Sequence, residues 1–110
     1  MSSDRLQQLL AFYASNPGDA FIIFALAKEY EGLGHAEKAL ELYQKLAVES
    51  PEYIGTYYHL GKILEVLGQP ASAFQTYKDG MAIAQKIGDQ HAFSELAAAK
   101  LDLGDDEDFE

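Results

Sequence analysis

No cysteine occurs in the 110 residues, and proline occurs only three times. Without cysteine there is neither a disulfide framework nor a thiolate metal site. Positive charge is also scarce: 8 Lys and Arg stand against 18 Asp and Glu, for a formal net charge of −10. Binding to a phosphate backbone needs clustered Lys and Arg, so nucleic acid is not an expected partner. An anionic membrane surface is disfavoured for the same reason. No apolar run approaches the roughly 18 residues that a membrane span needs. The opening Met1-Ser2-Ser3-Asp4-Arg5 lacks the basic-then-apolar pattern of a secretion signal. A cytoplasmic protein is the expectation.

Catalytic and cofactor motifs are missing too. His35, His59 and His91 are far apart, with no His-x-x-x-His or His-Glu-x-x-His pair to hold a metal. Nothing resembles a nucleophile elbow or a phosphate loop. Gly32-Leu33-Gly34 is not preceded by a strand and reads as a helix stop, not a nucleotide fingerprint. The expectation is no enzyme activity, no cofactor and no metal.

What is present is a repeat. The length allows one domain at most, and 48% hydrophobic residues are enough for a modest core. A shift of 34 residues superimposes Pro17 on Pro51, Leu26 on Leu60, Lys28 on Lys62 and Glu31 on Glu65. The same shift places Leu33 on Leu67, Gly34 on Gly68, Ala39 on Ala73 and Tyr43 on Tyr77. Repetition at a fixed period marks a stack of like supersecondary units.

Inside each unit the periodicity is helical. Ile23, Leu26, Ala27 and Tyr30 fall on one helix face, which Gly34 ends. Ala36, Ala39, Leu40, Tyr43, Leu46 and Ala47 form a second such face. Ser50-Pro51 is read as the cap and first turn of the next helix. Tyr57, Leu60, Gly61 and Leu64 repeat the first face, and Gly68 stops it. Pro70 opens a helix carrying Ala73, Phe74, Tyr77, Gly80, Met81 and Ala84. Ala27, Gly61, Ala39 and Ala73 are small, as close antiparallel packing requires.

A helix over 4–15 precedes these pairs, with Asp4 and Gln7 as a capping box and Asn16-Pro17-Gly18 as its end. Asp89 caps a final helix holding Phe93, Leu96, Ala97 and Leu101, which stops near Gly104. Phe93 follows Tyr57 by 36 residues rather than 34, so the intervening helix is expected to extend through Gln85-Lys86-Ile87. The count is about six helices in one all-α domain over 1–104. It divides into an N-terminal helix (4–17), two units (20–53 and 54–87) and a capping helix (89–103). Asp105, Asp106, Glu107, Asp108 and Glu110 form a self-repelling block, expected to be a disordered tail over 105–110. Its spacing is not that of a calcium-binding loop. Phe109 within it could serve as the apolar anchor of a short docking motif.

The spacing Ile23…Leu26-Ala27…Tyr30…Ala39…Tyr43…Pro51, repeated as Tyr57…Leu60-Gly61…Leu64…Ala73…Tyr77, resembles the tetratricopeptide repeat. The second unit departs from it in having Gln85 where the closing proline stands. The resemblance implies antiparallel helix pairs stacked as a short right-handed solenoid, and a protein-binding module or adaptor rather than a catalyst. It further implies a peptide or helix of a protein partner bound in the groove lined by the first helix of each pair. The residues on that face are Phe21, Phe24, Lys28 and Glu31, then Gly55, Tyr58, His59, Lys62 and Glu65, then His91, Ser94, Glu95 and Ala98. Phe24, Lys28, Glu31, Tyr58, His59, Lys62, Glu65 and His91 are the candidate binding residues. Phe21 and Phe24 have a second reading, as core residues packed on the first helix. A clamp for a C-terminal carboxylate is not expected. The matching places hold Phe24, Lys28, His59, His91 and Glu95, with no Asn and with Glu95 of the wrong sign. The competing reading is a self-associating unit, a homodimer formed through exposed terminal helices.

Overall fold

The computed structural model describes residues 3–109; Met1, Ser2 and Glu110 lie outside it, including the opening two residues of the domain and the last acid of the tail. Six α-helices follow one another: α1 (Asp4–Ser15), α2 (Ala20–Gly32), α3 (Ala36–Glu49), α4 (Gly55–Val66), α5 (Pro70–Ile87) and α6 (Gln90–Leu103). No strand occurs among the described residues. Helices α2 and α3 pack as one pair and α4 and α5 as the next, with α3 against α4 joining them. At the ends α1 packs on α2, and α6 packs on α5 while also touching α4. The stack measures 44 × 29 × 20 Å.

The helix stops are built from glycine. Gly34, Gly68 and Gly88 have φ of 82°, 76° and 79°, the left-handed region that a side chain disfavours. At each, the next residue's N–H reaches back across the helix end: His35 to the Tyr30 carbonyl, Gln69 to Leu64 and Asp89 to Ala84. These bonds satisfy carbonyls that the last turn would otherwise leave open.

Proline acts at the other type of junction, and here the structure corrects the sequence reading. Ser50-Pro51 does not cap and open α4. Ser50 ends α3, with φ −139° and ψ 65°. Asn16 before Pro17 ends α1 with nearly the same angles, φ −139° and ψ 63°. A residue that precedes proline is pushed out of the helical region, so each X-Pro step is a stop. A turn follows, closed by Tyr53 N–H donating to the Ser50 carbonyl, and α4 begins only at Gly55. The Tyr57 hydroxyl donates to the Pro51 carbonyl and ties this turn to α4. Gln85 imposes no such stop, so α5 runs 18 residues where α3 runs 14. That run-on is the physical origin of the 36-residue spacing.

The α1 start is corrected by one residue. Ser3, not Asp4, is the cap, and its hydroxyl accepts from the Leu6 N–H at 2.9 Å. Asp19 and Asp89 cap α2 and α6 in the same way. Within the stretch expected to be a disordered tail, Asp106–Phe109 forms one turn of 3-10 helix.

The core is continuous through both pairs. Ile23, Ala27, Ala39, Tyr43, Leu46, Tyr57, Leu60, Leu64, Ala73, Tyr77 and Leu96 are all buried in one cluster. A smaller cluster of Leu6, Leu9 and Leu26 seats α1. Gly61 shows why a small residue is needed: a Cβ there would lie 2.1 Å from the Tyr77 ring. Gly80 is as constrained, with a Cβ at 2.5 Å from Tyr57 Cβ and 3.0 Å from a Leu96 methyl.

Candidate binding groove

The first helices α2, α4 and α6 present one face of the stack, and the candidate residues of α2 and α4 converge there. Phe24 on α2 meets His59 on α4 edge-on, with ring centroids 5.4 Å apart. Glu31 on α2 reaches His59 Nδ1 at 3.5 Å. Within α2 the Lys28 ammonium lies over the Phe24 ring at 5.7 Å. Within α4 Lys62 lies over Tyr58 at 5.5 Å. These two aromatic–lysine pairs occupy equivalent places one repeat apart, because residues four apart share a helix face.

The acids on this face are engaged from behind. Tyr43 on α3 donates its hydroxyl to Glu31 Oε1 at 2.8 Å. One repeat on, Tyr77 of α5 donates to Glu65 Oε2. Burial, and then the neighbouring carboxylate, push both tyrosine hydroxyls above the usual phenol range, so each stays a donor. Glu65 also receives Lys62 at 3.7 Å. Glu31 and Glu65 thus link the two helices of their own pair, and their charge is partly spent inside the protein.

His59 is the hub. Its ring stacks on Tyr43 at 5.7 Å and 15°, and touches Tyr58 at 5.8 Å. Burial lowers its pKa below the ordinary histidine value, with Lys28 adding to the decrease. Glu31 and, more weakly, Glu95 of α6 oppose the decrease. The site therefore holds a neutral imidazole among aromatic rings near neutral pH.

Phe24 is half-buried and divides two hollows. One, about 380 Å³, is lined by Arg5, Phe21, Phe24, Ala25, Lys28 and Glu29. The other, about 400 Å³, is lined by Phe24, Glu52, Tyr53, Ile54 and Gly55. Tyr58 and Lys62 line neither and stand on more open surface. Phe24 touches Tyr43 and Tyr53 as well as His59, so its two readings merge: it packs on the core and also walls the groove. Phe21, by contrast, is 68% exposed and is not core. His91 stands apart from this cluster, exposed on α6, with Glu95 one turn on at 3.2 Å.

Two neighbours of the site are not evident from helical periodicity. Periodicity places Tyr43 on the core face alone, although its sequence separation from Glu31 is repeated by Tyr77 and Glu65. That coincidence is the available signal. Tyr53 carries no signal, because its place depends on where the turn after Pro51 ends.

No family model matches the chain. A TPR repeat-containing protein of Pseudomonas aeruginosa is 34% identical over 96 residues, covering 87% of this chain and 89% of its own. A tetratricopeptide repeat domain protein of Salinibacter ruber, solved in solution, is 42% identical with a TM-score of 0.78, over 81% of this chain and 90% of that one. A protein of Bordetella parapertussis, also solved in solution, is 29% identical with a TM-score of 0.79, over 94% of this chain and 89% of that one. The glycine stops, the small residues at the helix contacts and a relative matched along nearly its whole length agree: the chain belongs to the tetratricopeptide repeat family, and its fold is an all-α helical-repeat solenoid.

Proposed function

We propose that this protein is a non-catalytic adaptor that binds a peptide or helix of a protein partner on the face formed by α2, α4 and α6. The observation that carries the reading is the pair of aromatic–lysine units, Phe24–Lys28 and Tyr58–Lys62, set side by side in a molecule of net charge −10. The nearby acids Glu31 and Glu65 are occupied by tyrosine hydroxyls. These acids keep their charge, but with their oxygens engaged the groups left for a ligand include the lysine ammoniums and the aromatic rings. A ligand with apolar anchors beside carboxylates matches it in both respects. The hollows on either side of Phe24 suit such anchors, and His59 supplies a hydrogen-bonding edge between the rows.

A second reading, self-association through the terminal helices, rests on exposed Phe12 on α1 and exposed Leu101 on α6. Those residues sit at opposite ends of the stack, so pairing of like ends would close a two-fold dimer, whereas contact between unlike ends would be head-to-tail. Light scattering separates the two: a monomer at high micromolar concentration removes self-association.

Selection of peptides from a displayed library on the immobilised protein tests the groove. Selected peptides should carry an aromatic or aliphatic anchor next to acidic residues. They should lose affinity for Tyr58→Ala by about 2 kcal/mol, the usual cost of truncating an interface anchor. The Lys28→Glu/Lys62→Glu variant should slow association and weaken the salt dependence. Peptides that bind both variants as they bind the parent would place the site on another face.

A further inference from the structure

Each first helix of a pair ends at a glycine, and the chain then builds a second helix. After α6 the stop is Gly104, and among the described residues a turn of 3-10 helix follows, Asp106–Phe109. Counted from these glycines, Phe109 falls where Ala39 and Ala73 fall. The described residues after Gly104 thus stand where the second helix of a pair stands in the two earlier units. Gly104 has φ 150°, a conformation that lets the chain fold back over the end of α6.

What the turn covers has a defined chemistry. The Phe109 ring stacks on Phe74 of α5 at 4.4 Å and 20°. The Lys100 ammonium of α6 lies over the same Phe74 ring at 4.7 Å and meets Asp106 Oδ1 at 3.3 Å. Lys78, one turn beyond Phe74, lies over its ring at 6.0 Å. An aromatic flanked by two ammonium groups is thus met by a phenylalanine and a carboxylate of the tail.

We propose that Phe74, Lys78 and Lys100 form a second binding site, for an acidic peptide segment with an aromatic anchor, and that Asp105–Phe109 is its tethered internal occupant. Four carboxylates in five residues repel one another, and the lysines beneath offset that repulsion. The contact is small: one stacked ring and one ion pair whose aspartate is mostly exposed, a type of bridge that contributes little by itself. Occupancy is sustained by the tether, which holds the segment at an effective concentration on the order of millimolar. A partner segment of the same chemistry, with further contacts of its own, displaces it. The site lies at the end of the stack and does not depend on the groove.

Amide shifts of the full-length chain, followed by NMR as the peptide Asp-Asp-Glu-Asp-Phe is added, test this. Two variants loosen the tail without touching the site. Phe109→Ala removes the ring, and Gly104→Ala strains the fold-back and brings a Cβ to 2.6 Å from Asp108 Oδ2. Both should bind the peptide at least about tenfold more tightly than the parent, as removal of a tethered competitor requires. The shifts should centre on residues 74, 78 and 100. Adding Lys100→Gln to Phe109→Ala should lower the affinity, and a peptide with alanine in place of its phenylalanine should not bind. Circular dichroism checks that each variant folds; should Phe109→Ala lose its helices, Gly104→Ala carries the comparison. Loosened variants that bind no tighter than the parent, or shifts centred elsewhere, overturn the proposal. So does a concentration-dependent dimer of Gly104→Ala that ignores the peptide, which would assign the surface to a second copy.

Discussion

Tyr57 and Gly80 share a space that the first pair fills with Ile23 and Leu46, the residues 34 positions earlier. A Cβ on residue 80 would lie 2.5 Å from Tyr57 Cβ, so α4 and α5 approach more closely here than a side chain at residue 80 allows. Gly80→Leu should destabilise by about 3 kcal/mol through overpacking, and adding Tyr57→Ile should not relieve it, because isoleucine keeps the Cβ. Chemical denaturation of the single and double variants measures this; stability regained in the double variant would contradict it. His59 gives a second residue-scale prediction. Its pKa is lowered in the folded chain, chiefly by burial, against an ordinary value of 6.5. As pH falls through 6.5 the unfolded chain gains a proton that the folded chain does not, so stability is lost until the lower folded value is passed. Lys28 reinforces this, while Glu31 and Glu95 moderate it. Melting of the parent should therefore depend more steeply on acidification below pH 6.5 than melting of His59→Gln; parallel profiles would contradict it. The small residues at helix contacts were legible from the repeat. The tyrosine–glutamate links were not, because periodicity alone assigns each residue to its own helix face.

Helix boundaries show where local chemistry prevails over pattern. Ser3, Asp19 and Asp89 each cap a helix with a side-chain oxygen, whereas His35 and Gln69, one repeat apart, open α3 and α5 with no such bond. Gln69→Asp should supply the missing acceptor for the first turn of α5 and stabilise by about 0.5–1 kcal/mol. An unchanged or lowered melting temperature would mean that the turn after Gly68 cannot present the oxygen. The glycine stops, Pro70, the Asp89 cap and the run-on of α5 were all readable, since each is a local preference. Pro51 is ambiguous in the sequence because proline suits the first turn of a helix and also ends the helix before it; only the turn geometry decides. The contacts of the tail are hidden from the sequence for a related reason. Its charge signals repulsion, but Phe74 lies a whole helix back, and Lys100, though only six residues from Asp106, meets it through a fold-back that periodicity does not show.

At the scale of the whole molecule, two complete helix pairs are stacked between α1 and α6. The fold follows from the repeat, since each pair buries its apolar face only against the next. The function does not, because a family of shared architecture serves unrelated partners, and only the side chains on the exposed face distinguish them. On that face the two aromatic–lysine pairs, the half-buried His59 and the hollows beside Phe24 lie together. The most direct test of groove binding is amide shift mapping of the full-length chain with a peptide selected on it. Our account predicts that the largest shifts cluster at residues 24, 28, 31, 53, 58, 59, 62 and 65, and that Tyr58→Ala needs about thirtyfold more peptide to produce them while the fold is kept. Shifts confined to α3 and α5, or shifts that survive Tyr58→Ala unchanged, would contradict it.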